Sequence, residues 1–594
     1  MRIFLFIIAL CCAQTLVSQE DFLAKQYFNE GDFEKAVVFY EKLVLKNPRR
    51  TDYTDNLVAC YQQLEEYSKA ESLLLKNINS ERTVPTMFIE LGYNYTLQGQ
   101  AVKATQYYKT ALDVIDKNPN YGFGIGQRFQ KYALLDYALE AYARAMALNE
   151  KIDYNFQMAR IYGEQGNIEK MYESYLTLIS EGRTSPSNVL RNISDFINSD
   201  PENPNNLKLK RILLQRAQKS PDIVWNQLLS WLFIQQKQYK SALVQEKAIY
   251  KRDEAISLQR LQSLGDLALE ENDTAVAEEV FKYVTENAWD AQEVLNAQLK
   301  RIEITLLTAD DKDLPEVKKR FENLLETYGN QRESLSLQLA YAKFLTFKTD
   351  SPAPAIGLLT QSLELPLNKY EKSYVKNTLG DILVYDQKFN QALIYFSQIQ
   401  KDLKNDVLGQ EARFKVAQTS FYKGDFDWAL TQLKVLRAST SQLIANDAMQ
   451  LSLLISDNSF EDSTQVALKK YARADFLAYQ NKTVEAIDKL QEILTQHKGE
   501  KIEDEALLRQ GQLLITLKEY EKAEFNFQKI VAFYANGILA DEANFELAEL
   551  YRKHLNEPDK AKAHYEKIIY NYQDSYYFPQ ARKNYRMLRG DALN

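Results

Sequence analysis

The chain has 594 residues, with 19 glycines and 13 prolines, about half the average usage of roughly 7 % and 5 %. Hydrophobic residues at 45 % and charged ones at 26 % are globular values and disfavour a disordered, collagen-like or turn-rich all-β chain. A net charge of −8 argues against nucleic acid, which needs a basic face to displace counterions.

Residues 1–18 open the chain. Arg2 precedes an apolar run from Ile3 to Cys12, and a more polar stretch ends near Ser18. That is the layout of a secretory signal peptide, with cleavage after Ser18 or Ala13. The run is too short to span a bilayer core of about 30 Å. The alternatives are a buried first helix and a lipoprotein, the latter opposed by Leu10 ahead of Cys11. Removal of the leader leaves Cys60 as the one cysteine, so neither an internal disulfide nor a thiolate metal site is expected.

From residue 19 to 182 the sequence repeats. Ala36, Ala70, Ala104 and Ala138 recur at one constant interval, and Tyr40, Leu74, Tyr108 and Tyr142 follow them one helical turn later. Tyr27, Tyr61, Tyr95 and Phe129 precede them at an equally constant offset. The small or modest Ala24, Val58, Gly92 and Gly126 stand just before those rings. Small residues on two helices permit a close approach, and large ones a turn away fill the holes between them. Asn29-Glu30-Gly31-Asp32 and Gln98-Gly99-Gln100 suit the turn between helices, and Pro48 and Pro119 close two units.

This pattern resembles the tetratricopeptide repeat, a helix–turn–helix unit of about 34 residues. The resemblance implies an all-α, right-handed α-solenoid of stacked pairs, about 12–14 of them.

Residues 183–222 carry Pro186, Pro201, Pro204 and Pro221, and proline rejects a helix interior. A degenerate joint is expected here, with helices Val189 to Asn198 and Leu207 to Lys219 and poor packing across Asp200–Asn206. A middle array follows over 223–440, with units such as Leu264, Gly265, Ala277, Phe281 and Leu379, Gly380, Ala392, Phe396. Residues 441–466, with Ser456–Ser463 rich in Ser, Asp and Asn, are expected to be an irregular connection. The last array, 467–594, ends in a capping helix. The period lengthens toward it: the steps from Ala392 to Ala429, from Ala486 to Ala523 and from Ala523 to Ala561 all exceed the step from Ala36 to Ala70. These units, with Asp574-Ser575-Tyr576-Tyr577-Phe578-Pro579-Gln580-Ala581, are similar to those of bacterial envelope scaffolds, the Tol–Pal coordinator and outer-membrane assembly lipoprotein families.

Catalytic chemistry is poorly supplied. The histidines are His497, His554 and His564, none in HExxH spacing and none with a cysteine nearby. Gly122, Gly124 and Gly126 lack the preceding strand and the following G-K-[ST] of phosphate loops. Arg589-Gly590-Asp591 follows a terminal helix and reads as a chance tripeptide. No catalytic residue, metal ligand or cofactor is expected. A few of the 38 tyrosines could stack on sugars.

The resemblance implies an inner face lined by the first helix of each pair, where peptides bind. The residues expected there are Lys25, Phe28, Gln62, Gln63, Tyr93, Gln127 and Lys131. Only two are basic, which argues against the carboxylate clamp of some family members. The chain is thus expected to be a non-catalytic, protein-binding scaffold of the bacterial envelope, exported to the periplasm. Its partners would be envelope proteins or peptides, with neither nucleic acid nor a transmembrane anchor involved. The alternative is an accessory or glycan-binding subunit of a polysaccharide-processing complex.

Overall fold

The computed structural model describes residues 20–80, 84–252, 257–436, 442–459 and 464–591. The leader assigned to residues 1–18 lies outside them. Among the described residues there is no strand, and from residue 20 to helix Phe578–Arg589 most helices follow one another as pairs. None is long and apolar enough to cross a membrane.

One device recurs through the pairs. A Cβ on Gly92 or Gly126 would fall inside the ring of Tyr108 or Tyr142. Gly265 stands so against Phe281, Gly380 against Phe396 and Gly511 against Phe527, the last two rings 2.5 Å from the missing Cβ. The sequence offset from glycine to ring is identical in all five. A bare backbone on the first helix thus admits a ring from the second, and Ala104 and Ala138 are buried one turn before Tyr108 and Tyr142. Such interlocking leaves no void for either helix to slide into.

The turn between helices is equally regular. Gly31, Glu65, Gly99 and Ala133 stand at equivalent positions of successive repeats, and all have left-handed φ between 54° and 79°. The N–H of the next residue then donates to the carbonyl of Tyr27, Tyr61, Tyr95 or Phe129 at 2.8–3.0 Å. This closes the first helix and reverses the chain.

The chain forms two compact units, Met1–Leu264 and Gly265–Asn594. The boundary does not fall at the proline-rich stretch, and the first unit runs through it. Pro186 and Pro204 are the first residues of helices Pro186–Ile193 and Pro204–Lys219, not breaks, because a first-turn residue needs no N–H partner. Ser185 and Asn203 cap these helices. The poor packing expected across Asp200–Asn206 is not observed. Asn206 is fully buried, and its Nδ2 donates to the carbonyls of Asn198 and Asp200 at 2.8 and 2.7 Å. Arg216 reaches back to the Glu173 carbonyl, 3.0 Å, and to Thr177 Oγ1, 2.8 Å.

In the second unit, the expected irregular connection contains helix Gln442–Ser459. Its polar end conceals an apolar stripe at helical spacing, Ile444, Ala448 and Ile455, all buried. This helix stands outside the pairing. The next one, Val466–Tyr479, bypasses it and docks on earlier pairs. Tyr479 Oη donates to the Asp381 carbonyl at 3.0 Å, and Gln480 Nε2 to that of Tyr385 at 2.7 Å. Phe347, Tyr385, Tyr422, Phe476 and Tyr479 fill the space between as an aromatic plug.

Candidate functional site

Helices Thr51–Gln63, Thr86–Leu97 and Gly122–Lys131, the first helices of three successive pairs, share one polar network. Arg128 joins all three. Its guanidinium donates to Glu90 and, at 2.7 Å, to Asp55 Oδ2. Tyr132 Oη donates to the other Glu90 oxygen, and Lys131 Nζ stands 3.7 Å from Glu90. Glu90 is 1 % exposed, so its charge is met entirely within the protein. Burial and the Glu90 charge push the Tyr132 hydroxyl far up from its ordinary range.

The expected groove residues divide on this surface. Tyr93 stacks on Tyr132 with centroids 3.8 Å apart, and Lys131 lies over the same ring at 4.8 Å, so these two come together. Gln63 and Gln127 are exposed. Lys25 is paired with Asp21 at 2.9 Å. One expectation is corrected: Gln62 is buried. Phe28 is half-buried and packs edge-on against Phe33 and Tyr40 at the border of the core. Gln62 stands one repeat after Phe28, on the side of its helix that packs against the core. The residues that organise the surface, Asp55, Glu90 and Arg128, were not anticipated. Two acids and a base on the first helices of three successive repeats were the available signal.

The second unit has an open cleft of about 510 Å³. Its walls come from helix Val407–Lys423, the unpaired Gln442–Ser459 and the first helices Val466–Tyr479, Ile502–Thr516 and Ala540–Leu550, with Tyr576 and Tyr577 at one end. The lining is strongly acidic. Asp475 is bound by Arg509 at 2.7 Å, and Glu542 accepts a long hydrogen bond, 3.3 Å, from Gln512 Nε2. The Glu505 carboxylate accepts no hydrogen bond among the described residues. Burial pushes Glu505 up to about 8, with Asp504, Glu542 and Asp457 adding like charge. Burial likewise lifts Glu542 to about 7, with Glu546 and Asp541 adding to it. No group of three metal-ligating side chains converges among the described residues.

The other motifs are absorbed by the fold. Gly122 admits Ala145 and Tyr154, and Gly126 admits Tyr142. Gly590 ends a helix at φ 86°, and Arg589 and Asp591 pair with each other. Burial raises the Cys60 thiol to about 12 and lowers His564 to about 4, while His554 stacks on Tyr520 at 4.7 Å.

Comparisons with known proteins place repeats at the cleft itself. The tetratricopeptide-repeat family matches residues 504–536 and 542–575, which include Glu505, Arg509, Gln512 and Glu542. A TPR repeat-containing protein of Methanocaldococcus jannaschii is 28 % identical over 210 residues, 33 % of this chain and 36 % of that protein. The general transcriptional corepressor trfA of Dictyostelium discoideum is 26 % identical over 125 residues, 21 % of this chain and 9 % of that protein. The match therefore spans well under half of either relative. Among solved structures, yeast Tom70 aligns with 94 % of this chain and 98 % of its own at 15 % identity and a TM-score of 0.27. Naa15/Naa10 bound to HypK-THB aligns with 96 % of each chain at 13 % identity and a TM-score of 0.27. The chain is a helical-pair protein that contains tetratricopeptide repeats.

Proposed function

We propose that this chain is a non-catalytic, protein-binding scaffold of the bacterial cell envelope, exported by residues 1–18 and working in the periplasm. The observation that carries the binding role is the open cleft of the second unit. An open acidic cleft walled by five helices, with the Glu505 carboxylate turned to it, offers a recognition surface. The envelope setting rests on the arrangement of Arg2, the apolar run Ile3–Cys12 and Ser18. Cross-linking of the full chain in envelope extract, followed by mass spectrometry, is expected to map a partner peptide onto residues 414–577. Cross-links confined to other regions would remove the cleft from the reading. N-terminal sequencing of envelope-fraction protein is expected to start after Ala13 or Ser18, and a start at Met1 would remove export.

A second reading, glycan binding, draws on Tyr576, 65 % exposed, and Tyr577 at the end of the cleft, since exposed rings stack on sugars. Labelled glycan fragments titrated into the chain distinguish the two: saturable binding competed by no envelope protein would favour the glycan.

A further inference from the structure

We infer that helices Pro204–Lys219 and Tyr239–Arg252 of the first unit form a docking surface for an anionic phospholipid bilayer. The inference goes beyond the protein-binding reading, because it adds a partner of a different kind and does not depend on the cleft.

The chain as a whole carries a net charge of −8, yet these two helices are cationic. Pro204–Lys219 holds Lys208, Lys210, Arg211, Arg216 and Lys219 and no acid. Tyr239–Arg252 holds Lys240, Lys247, Lys251 and Arg252 against one acid, Glu246. Glu246 is 3 % exposed, and Ser230 and Arg260 both donate to it, so it neutralises nothing at the surface. Arg211 is tied to Glu169 at 2.6 Å. Lys208, Lys210, Lys219, Lys240 and Lys251 make no ion pair among the described residues. Asp253 and Glu254, which follow the second helix, lie outside the described residues.

Both helices pack on the uncharged helix Ile223–Gln235 between them. Lys210 stands over the Phe233 ring at 5.4 Å, near the end of that helix, and Arg216 over the Trp225 ring at 5.6 Å, near its start. Arg252 donates to Asn226 Oδ1 at 2.8 Å, so the last turns of both cationic helices meet beside the first turn of the helix between them. The two therefore run alongside one another, with Lys208 and Lys240 at the end away from Asp253 and Glu254.

Apolar side chains stand among the cations. Leu207 and Leu214 are 42 % and 43 % exposed, two turns apart on one face, with Arg211 between them. Val244 is 60 % exposed and stands one turn from both Lys240 and Lys247, with Lys251 a turn beyond. This combination selects the ligand. Lysine ammonium groups reach headgroup phosphates while their stems and the aliphatics between them enter the acyl boundary. Each such cation adds to the attraction of an anionic leaflet. A nucleic acid offers phosphates but no apolar phase for Leu207, Leu214 and Val244. Cations spread along two neighbouring helices, each roughly 20 Å long, match a plane of charge better than a single extended chain.

The test is co-sedimentation of the full chain with vesicles at low salt. Vesicles of phosphatidylglycerol and phosphatidylcholine in equal parts are expected to bind it at least about tenfold more tightly than vesicles of phosphatidylcholine alone. Lys208→Glu with Lys240→Glu is expected to weaken binding to the anionic vesicles by about tenfold or more, and Leu214→Ser by about threefold. Lys109→Glu with Lys117→Glu, on exposed positions of helix Ala101–Lys117, makes the same change in net charge and is expected to leave binding within about twofold. Circular dichroism melts check the fold of each variant. The gentler Lys208→Gln with Lys240→Gln, expected to weaken binding by about fivefold, keeps the test readable if the glutamates unsettle the helices. Equal binding to neutral vesicles, no binding to either kind, or indifference to Leu214→Ser would overturn the inference. A loss no larger for the Lys208 and Lys240 variants than for the Lys109 and Lys117 pair would overturn it too. So would a glutamate-rich peptide or duplex DNA that binds the chain more tightly than the anionic vesicles do, which would give the surface to a protein or a nucleic acid.

Discussion

The two inner surfaces answer the same problem in opposite ways. Each places a carboxylate where water cannot fully solvate it. In the first unit Glu90 is met by Arg128 and Tyr132, and Arg128 is shared with Asp55. In the second unit Glu505 has acids around it and no donor among the described residues, and Arg509 is spent on Asp475. The first network staples three repeats together. The second leaves its carboxylate partly exposed to an open cleft. An acid at the surface of these pairs is thus structural where its partner is in the chain, as Glu90 shows.

The largest test removes the staple. Arg128→Met should leave Glu90 buried and unmatched and destabilise the first unit by about 3–5 kcal/mol. Hydrogen exchange read by mass spectrometry should show the loss over residues 51–132 and leave residues 502–571 unchanged. Loss spread evenly over both units would break the comparison.

The second test is pH. Glu505 and Glu542 ionise at about 8 and 7 in the folded chain against 4.5 for a free glutamate. Between those values the folded state holds protons that the unfolded state gives up. The resulting stabilisation is complete below about pH 4.5 and is lost as pH rises to about 8. The second unit should lose several kcal/mol over that window, about 8 kcal/mol at most, and Glu505→Gln should flatten much of the slope. A second unit equally stable at both ends would mean that Glu505 is solvated or paired.

Two smaller tests probe what the units share. Gly126→Ala and Gly511→Ala each push a methyl into an aromatic ring. Each should cost about 1–3 kcal/mol, by chemical denaturation, despite alanine's better helix propensity. Ala133→Gly and Lys518→Gly relieve a left-handed residue, φ 54° and 62°. Strain relief of about 1–2 kcal/mol, less the added entropy of an unfolded glycine at about 0.4–1 kcal/mol, should raise stability by about 0.5 kcal/mol. A large difference between the units in either pair would show that the repeats are not built alike.

The fold was legible because its determinants are local and recur. Ala36 to Ala138, the glycines and the aromatics each appear at a fixed interval, and burial follows that interval. The unpaired helix Gln442–Ser459 was not legible, because its Ser, Asp and Asn residues signal a loop and its apolar stripe has no copy elsewhere for comparison. The cleft depends on that helix, so Glu505 looked like one acid among many on a charged helical face. Proline misled at 183–222 because its effect depends on position: at the first turn Pro186 and Pro204 start helices that a central proline would break. Asn206 carried no signal at all, since a buried, bridging asparagine and a loop asparagine are written with the same letter.

The constant offset from glycine to ring sets where this chain can change length. Adding or deleting a residue between Gly380 and Phe396 turns the ring off its notch, so such an indel should be lethal to the pair. No such gauge runs from one pair to the next. The longer step from Ala392 to Ala429 accumulates there, and so does the whole of Gln442–Ser459; within a pair, the one extra residue before Ala561 is taken up by the π-helical turn Tyr551–Leu555. Length between pairs is thus freer to vary than length between a glycine and its ring, and the cleft is walled by the helix that stands between two pairs.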